Sequence, residues 1–176
     1  MNIAKLLYRV RQFMLALRMQ PLKDDELAPA QEVLTPKQMD LFTRLQPGEQ
    51  LHAIRVLEAL RGQGETHPDL WVAALLHDVG KSRVPLHLWE RVFIVVGKKL
   101  FPRYADCWGQ DLYRGWRRPF SVAEGHPIWG AELAAEVDTS PLAVDLIRRH
   151  QDQINLSEPG LQGHLLLALQ KADNQN

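Results

Sequence analysis

Seven histidines are spread along the 176 residues of the chain, and four of them stand where apolar packing gives no reason for an imidazole. His52 lies near the start of one helix-forming stretch. His77-Asp78 closes another, the run 70–76, which is apolar almost all round. An ionised carboxylate there is costly unless a metal ion or a strong hydrogen-bond network meets it. Asp173 comes after the apolar run Leu165-Leu166-Leu167-Ala168-Leu169, at the far end of the last helical stretch. Consecutive helical residues point about 100° apart, so His77 and Asp78 cannot easily chelate one ion from mid-helix. At a helix end the backbone can adjust, and the two oxygens of a carboxylate can also bridge two ions. Such a nitrogen-and-oxygen donor set suits Fe, Mn, Zn, Co or Ni better than Ca or Mg alone.

The elements that must position these groups read as helices throughout. Residues 1–20 carry Ile3, Leu6, Leu7, Val10, Phe13, Met14 and Leu17 at helical spacing, with Lys5, Arg9, Arg11 and Arg18 mainly on the other face. Residues 21–36 are polar and proline-bearing and read as a linker. Thr35-Pro36 opens a short helix through Leu45, and a longer one runs from about Gly48 to Leu60, ending at Gly62 and Gly64. Pro68 starts the apolar helix that His77-Asp78 closes, with Gly80 expected as a left-handed cap. Further helices are expected over 86–100, 121–137, 140–150 and 158–173. Val92 to Val96 is the one β-branched cluster, and its flanks read helical, so the class is all-α.

The order of these residues resembles the H…HD…D signature of the HD superfamily of metal-dependent phosphohydrolases. His52-Ala-Ile-Arg55-Val56 looks like its HxxRV element, and Ala73-Ala-Leu-Leu-His77-Asp78-Val-Gly80-Lys81 looks like its AALLHDxGK core. His126-Pro-Ile-Trp-Gly130-Ala-Glu-Leu133, Ile147-Arg-Arg-His150 and Leu169-Gln-Lys-Ala-Asp173 resemble its later segments. The resemblance implies a helical bundle over 34–176, preceded by the amphipathic helix and linker of 1–33. It implies His52, His77, Asp78 and Asp173 as ligands of one ion. His126 and His150 resemble the extra ligands of two-ion members, with Asp78 as the bridge. Taken alone, His126 is equally a helix-entry residue ahead of Pro127, and His150 a cation favoured at a helix C-terminus.

The implied activity is hydrolysis of a phosphate ester of a nucleotide or nucleotide-like substrate by a metal-activated water. Asp78 and Lys81 are the candidate catalytic residues. Lys81, a turn past His77-Asp78, would neutralise a substrate phosphate; a cation at a helix C-terminus is its plainer role. Arg55, on nearly the same face as His52, is divided between substrate binding and a structural ion pair. His67, His87 and His164 match no ligand position. The cyclic-dinucleotide branch carries HHE and a GYP tripeptide, whereas this chain has His150-Gln151-Asp152 and no GYP, which argues against cyclic-di-GMP as substrate. The stretch 103–119, with Trp108, Trp116, Arg114, Arg117 and Arg118, reads as a surface loop anchored by its tryptophans, or else as a nucleotide-facing lid.

Composition fits this reading. The chain is 45% hydrophobic and 24% charged, enough for one packed domain, and 21 basic residues balance 21 acidic ones. That balance gives no sign of a nucleic-acid partner. The lone Cys107 cannot form an internal disulfide, and a cytoplasmic setting is expected. Residues 1–20 lack the unbroken apolar run of a signal peptide or a membrane span. Their apolar face suits a homodimer or a peripheral contact. The alternative function is therefore a non-catalytic HD module that docks through this helix.

Overall fold

In the computed structural model, residues 20–84, 90, 118–153 and 160–176 are described. Among them there are seven α-helices and no strand. The helices are α1 (Asp24–Val33), α2 (Pro36–Phe42), α3 (Pro47–Gly62), α4 (Pro68–Leu76), α5 (Arg118–Glu136), α6 (Pro141–Arg149) and α7 (Gly160–Gln175), and a 3-10 turn, Val79–Arg83, follows α4. The all-α expectation holds. The amphipathic stretch 1–19, the expected helix 86–100, His87, Cys107 and the tryptophan-rich stretch through Arg117 lie outside the described residues.

The bundle is built around α4. Leu70, Ala73, Ala74, Leu75 and Leu76 are fully buried, as an all-round apolar helix must be. It packs against α1, α3, α6 and α7, while α5 lies across the 3-10 turn and α6. Ala53, Ile54, Val56, Leu57 and Leu60 of α3 and Leu165, Leu166 and Leu169 of α7 supply the facing side chains. The helix carrying His77-Asp78 at its end is thus enclosed by the helices that carry His52 and Asp173.

Local chemistry explains the boundaries. Thr35 caps α2 through a reciprocal pair, Gln38 N–H to Thr35 Oγ1 at 3.4 Å and Thr35 N–H to Gln38 Oε1 at 3.0 Å, with Pro36 in the first turn. Helix α3 closes with Gly64 at φ 82°, and the Glu65 N–H reaches back to the Leu60 carbonyl at 3.0 Å. His67 takes the N-cap position of α4, directly ahead of Pro68.

The linker reading of 21–36 is corrected by α1. Three prolines and a run of charge suggested irregular chain, but Leu27, Ala30 and Leu34 recur at helical spacing and turn inward, with Ala30 wholly buried. Asp24, Asp25 and Glu26 fill the first turn, where acids favour the helix dipole, and Glu26 Oε2 accepts the Lys23 N–H at 2.9 Å. Helix α1 accordingly packs on α3 and α4. Gly80 is also corrected. It sits inside the 3-10 turn, and Gly64 and Gly160 are the glycines with positive φ among the described residues. Among those residues, no helix is long and apolar enough to cross a membrane.

Candidate metal centre

Each of the three buried histidines is held in the same way. His77 Nδ1 meets the Ala74 carbonyl at 2.9 Å, His126 Nδ1 the Ala123 carbonyl at 2.8 Å, and His150 Nδ1 the Ile147 carbonyl at 2.7 Å. In every case the acceptor lies three residues back. Ala74 and Ile147 fall within the last turns of α4 and α6, whose final carbonyls have no partner inside the helix. Ring N–H donation at Nδ1 leaves Nε2 to face the interior, where it offers a lone pair whenever it carries no proton.

The six side chains singled out from the sequence come together at the inner end of α4. His52 Nε2 lies 2.9 Å from Asp173 Oδ1, and His77 Nε2 lies 3.6 Å from the same oxygen. On the other side, Asp78 Oδ1 is 3.2 Å from His126 Nε2 and 3.9 Å from His150 Nε2, and those two nitrogens are 3.3 Å apart. Asp78 Oδ2 is 3.6 Å from His77 Nε2. The residues divide into two trios, His52-His77-Asp173 and Asp78-His126-His150, and within each trio one ligand atom per residue lies within 4.8 Å of the others. Each trio could hold a metal ion, and the two oxygens of Asp78 face different trios. The second is buried throughout, whereas His52 and Asp173 keep a quarter of their side-chain surface exposed.

His77 Nε2 is a buried polar atom with no hydrogen-bond partner. Such an orphan is costly, and a divalent cation would satisfy it together with the carboxylates beside it. The local field asks for positive charge. Burial lowers the proton affinity of His77, but the carboxylates of Asp78 and Asp173 outweigh it and lift its pKa to about 9. Burial also works against ionised Asp78, yet the Lys81 ammonium and His77 hold its carboxyl well below the usual range. Asp173 is likewise held low, against burial, by His77 and by its bond to His52. His150 goes the other way: burial and then the charge on His77 push it down to about 3, leaving a neutral donor nitrogen.

Lys81 is found against Asp78, in an ion pair with Oδ2, with nearly a third of its side chain exposed. Burial lowers its pKa, but Asp78 and Glu49 raise it overall, so it stays a cation. Arg55 is half-buried and has no ion-pair partner among the described residues. His164 is exposed and pairs with Glu65 at 3.1 Å, away from the cluster.

Two features were not readable as functional beforehand. A Cβ on Gly80 would collide with the His126 carbonyl oxygen and come within 2.7 Å of the Gly130 nitrogen. The absence of a side chain there lets the 3-10 turn lie directly on α5, bringing Asp78 to His126. Gln170 is buried on α7 and donates to the Arg149 carbonyl at 3.3 Å and the Asp152 carbonyl at 3.0 Å. It ties the turn carrying His150 to the helix carrying Asp173. The one signal in the sequence is a glutamine directly after the apolar run 165–169 and three residues before an expected ligand.

Comparison with known families agrees with this geometry. The family model of the HD domain matches residues 51–174, most of the chain and all six clustered residues. No curated protein and no solved structure gave a match. The chain belongs to the HD domain family, whose members are mostly metal-dependent hydrolases and bind divalent metals.

Proposed function

We propose that this HD-domain chain is a two-ion phosphohydrolase acting on a nucleotide or nucleotide-like phosphate ester. The observation that carries the reading is the convergence of two ligand trios on the two oxygens of one buried carboxylate, Asp78. His52, His77 and Asp173 would hold one divalent transition-metal ion, and His126 and His150 the other, with Asp78 a ligand shared between the two trios. Bound there, the ions supply Lewis acidity toward a phosphate oxygen and make water a competent nucleophile near neutral pH.

The chain's own residues do the rest. His77, His126 and His150 are orientated by backbone carbonyls, so little reorganisation is needed when charge develops at phosphorus. The partly exposed edge at His52 and Asp173 is the side on which substrate arrives, since the other trio is buried. Lys81 exchanges its contact with Asp78 for a phosphate oxygen, and Arg55, one turn from His52, offers a second cation with free donors.

A substrate screen tests this. Nucleoside mono-, di- and triphosphates, cyclic and linear dinucleotides and a generic phosphodiester should include at least one compound turned over only with added metal. Asp78→Ala should abolish that turnover. Lys81→Ala and Arg55→Ala should each lower kcat/KM roughly ten- to a hundredfold, the worth of one charge-assisted contact. Turnover that is unchanged in Asp78→Ala, or no turnover with metal fully loaded, counts against the proposal.

A further inference from the structure

The three buried imidazoles share one device, but they obtain it differently. For His77 and His150 a helix ends nearby, and its last carbonyls are free to accept. His126 has no such end. It lies in the middle of α5, which runs from Arg118 to Glu136, where each carbonyl normally accepts the N–H four residues on. For the Ala123 carbonyl that donor would be residue 127, and residue 127 is a proline with no N–H. The oxygen left over is the one that His126 Nδ1 meets, at 2.8 Å, with the Val122 carbonyl a longer second contact at 3.2 Å.

We infer that Pro127 is a positioning residue for His126: it frees the Ala123 carbonyl in mid-helix, and that carbonyl fixes the imidazole with Nε2 towards Asp78 and His150. The consequence for metal binding rests on the two-ion reading above; the orientation of the ring does not. Proline inside a helix ordinarily weakens it. Here its missing donor produces the acceptor that a helix end supplies to the other two histidines. With an amide at 127, the Ala123 oxygen would be drawn into the helical ladder. The ring would then compete for a second lone pair in a poorer direction.

Pro127→Ala separates this from a packing role, because alanine is the better helix residue and should leave α5 at least as stable. Three readouts are taken on the full chain. The thermal midpoint of the metal-stripped variant should equal or exceed that of the parent. Nitrogen-15 spectra of the neutral His126 ring should pass from a single Nδ1–H tautomer to a mixture. Titration with Mn²⁺ should show affinity at the Asp78-His126-His150 trio reduced about ten- to a hundredfold, with the His52-His77-Asp173 trio unchanged. A single unchanged tautomer with parental Mn²⁺ affinity would overturn the inference, and so would a variant that loses metal only because it has lost stability. If the parent binds no Mn²⁺ at this trio but the tautomer still shifts, the inference stands and the two-ion reading falls.

Discussion

At the scale of single residues, a metal ion at the centre would compete with protons for the same lone pairs. His77 has a folded pKa of about 9 against an ordinary 6.5, so its charged form stabilises the metal-free fold. That contribution is complete below pH 6.5 and is lost as pH rises through about 9. His150, depressed to about 3, has the opposite sign: its contribution is present above pH 6.5 and lost as pH falls towards 3. Metal-stripped protein should therefore melt highest near neutrality and lower on either side, and His77→Gln should flatten the alkaline limb. Melting curves from pH 5 to pH 9.5 check this. An alkaline limb that survives His77→Gln would assign it to another group. His52, His77, Asp78 and Asp173 were legible in the sequence, because an imidazole or carboxylate beside apolar helix positions stands out. His126 and His150 were reached only through the family resemblance, since each alone fits an ordinary place at a helix end. The ring hydrogen bonds were not legible, since the acceptors are backbone carbonyls freed by helix ends and by Pro127. The pairing of Lys81 with Asp78 was equally hidden, since an exposed cation and a paired one have the same local sequence.

At the scale of elements, the crossing of the 3-10 turn over α5 decides whether Asp78 meets His126. A methyl group on Gly80 would press on the α5 backbone at His126 and Gly130, with no flexible side chain among its nearest neighbours to displace. Gly80→Ala should cost about 1–3 kcal/mol through overpacking and reduce metal held by the Asp78-His126-His150 trio. Denaturant unfolding together with metal content tests both parts, and a variant of parental stability and metal content would refute the close-crossing argument. Glycine's two uses explain why its role was misread. Before a structure is known, a glycine after a helix suggests a positive φ, whereas close backbone approach depends on a helix some fifty residues later in the chain. Helix α1 was misread for a related reason: Pro29 and the surrounding charges outweighed a short apolar stripe, and the surface covering that stripe belongs to α3 and α4.

For the whole molecule, the plan is a buried helix whose end is wrapped by ligand-bearing neighbours. The clustered side chains come from α3, the end of α4, α5, the end of α6 and α7, so an ion held by His52, His77 and Asp173 would tie together parts of the chain more than a hundred residues apart. Ions bound only by the native state must add to its stability. The bundle itself was legible from apolar periodicity, since α4 announces itself as the core. The most direct test of the centre is elemental analysis of the purified, metal-loaded full chain and its variants. The account predicts up to two transition-metal ions per chain, a loss confined to one ion in His150→Ala, and loss of both in Asp78→Ala. A folded parent that retains no metal, or an Asp78→Ala variant that retains as much as the parent, would contradict it.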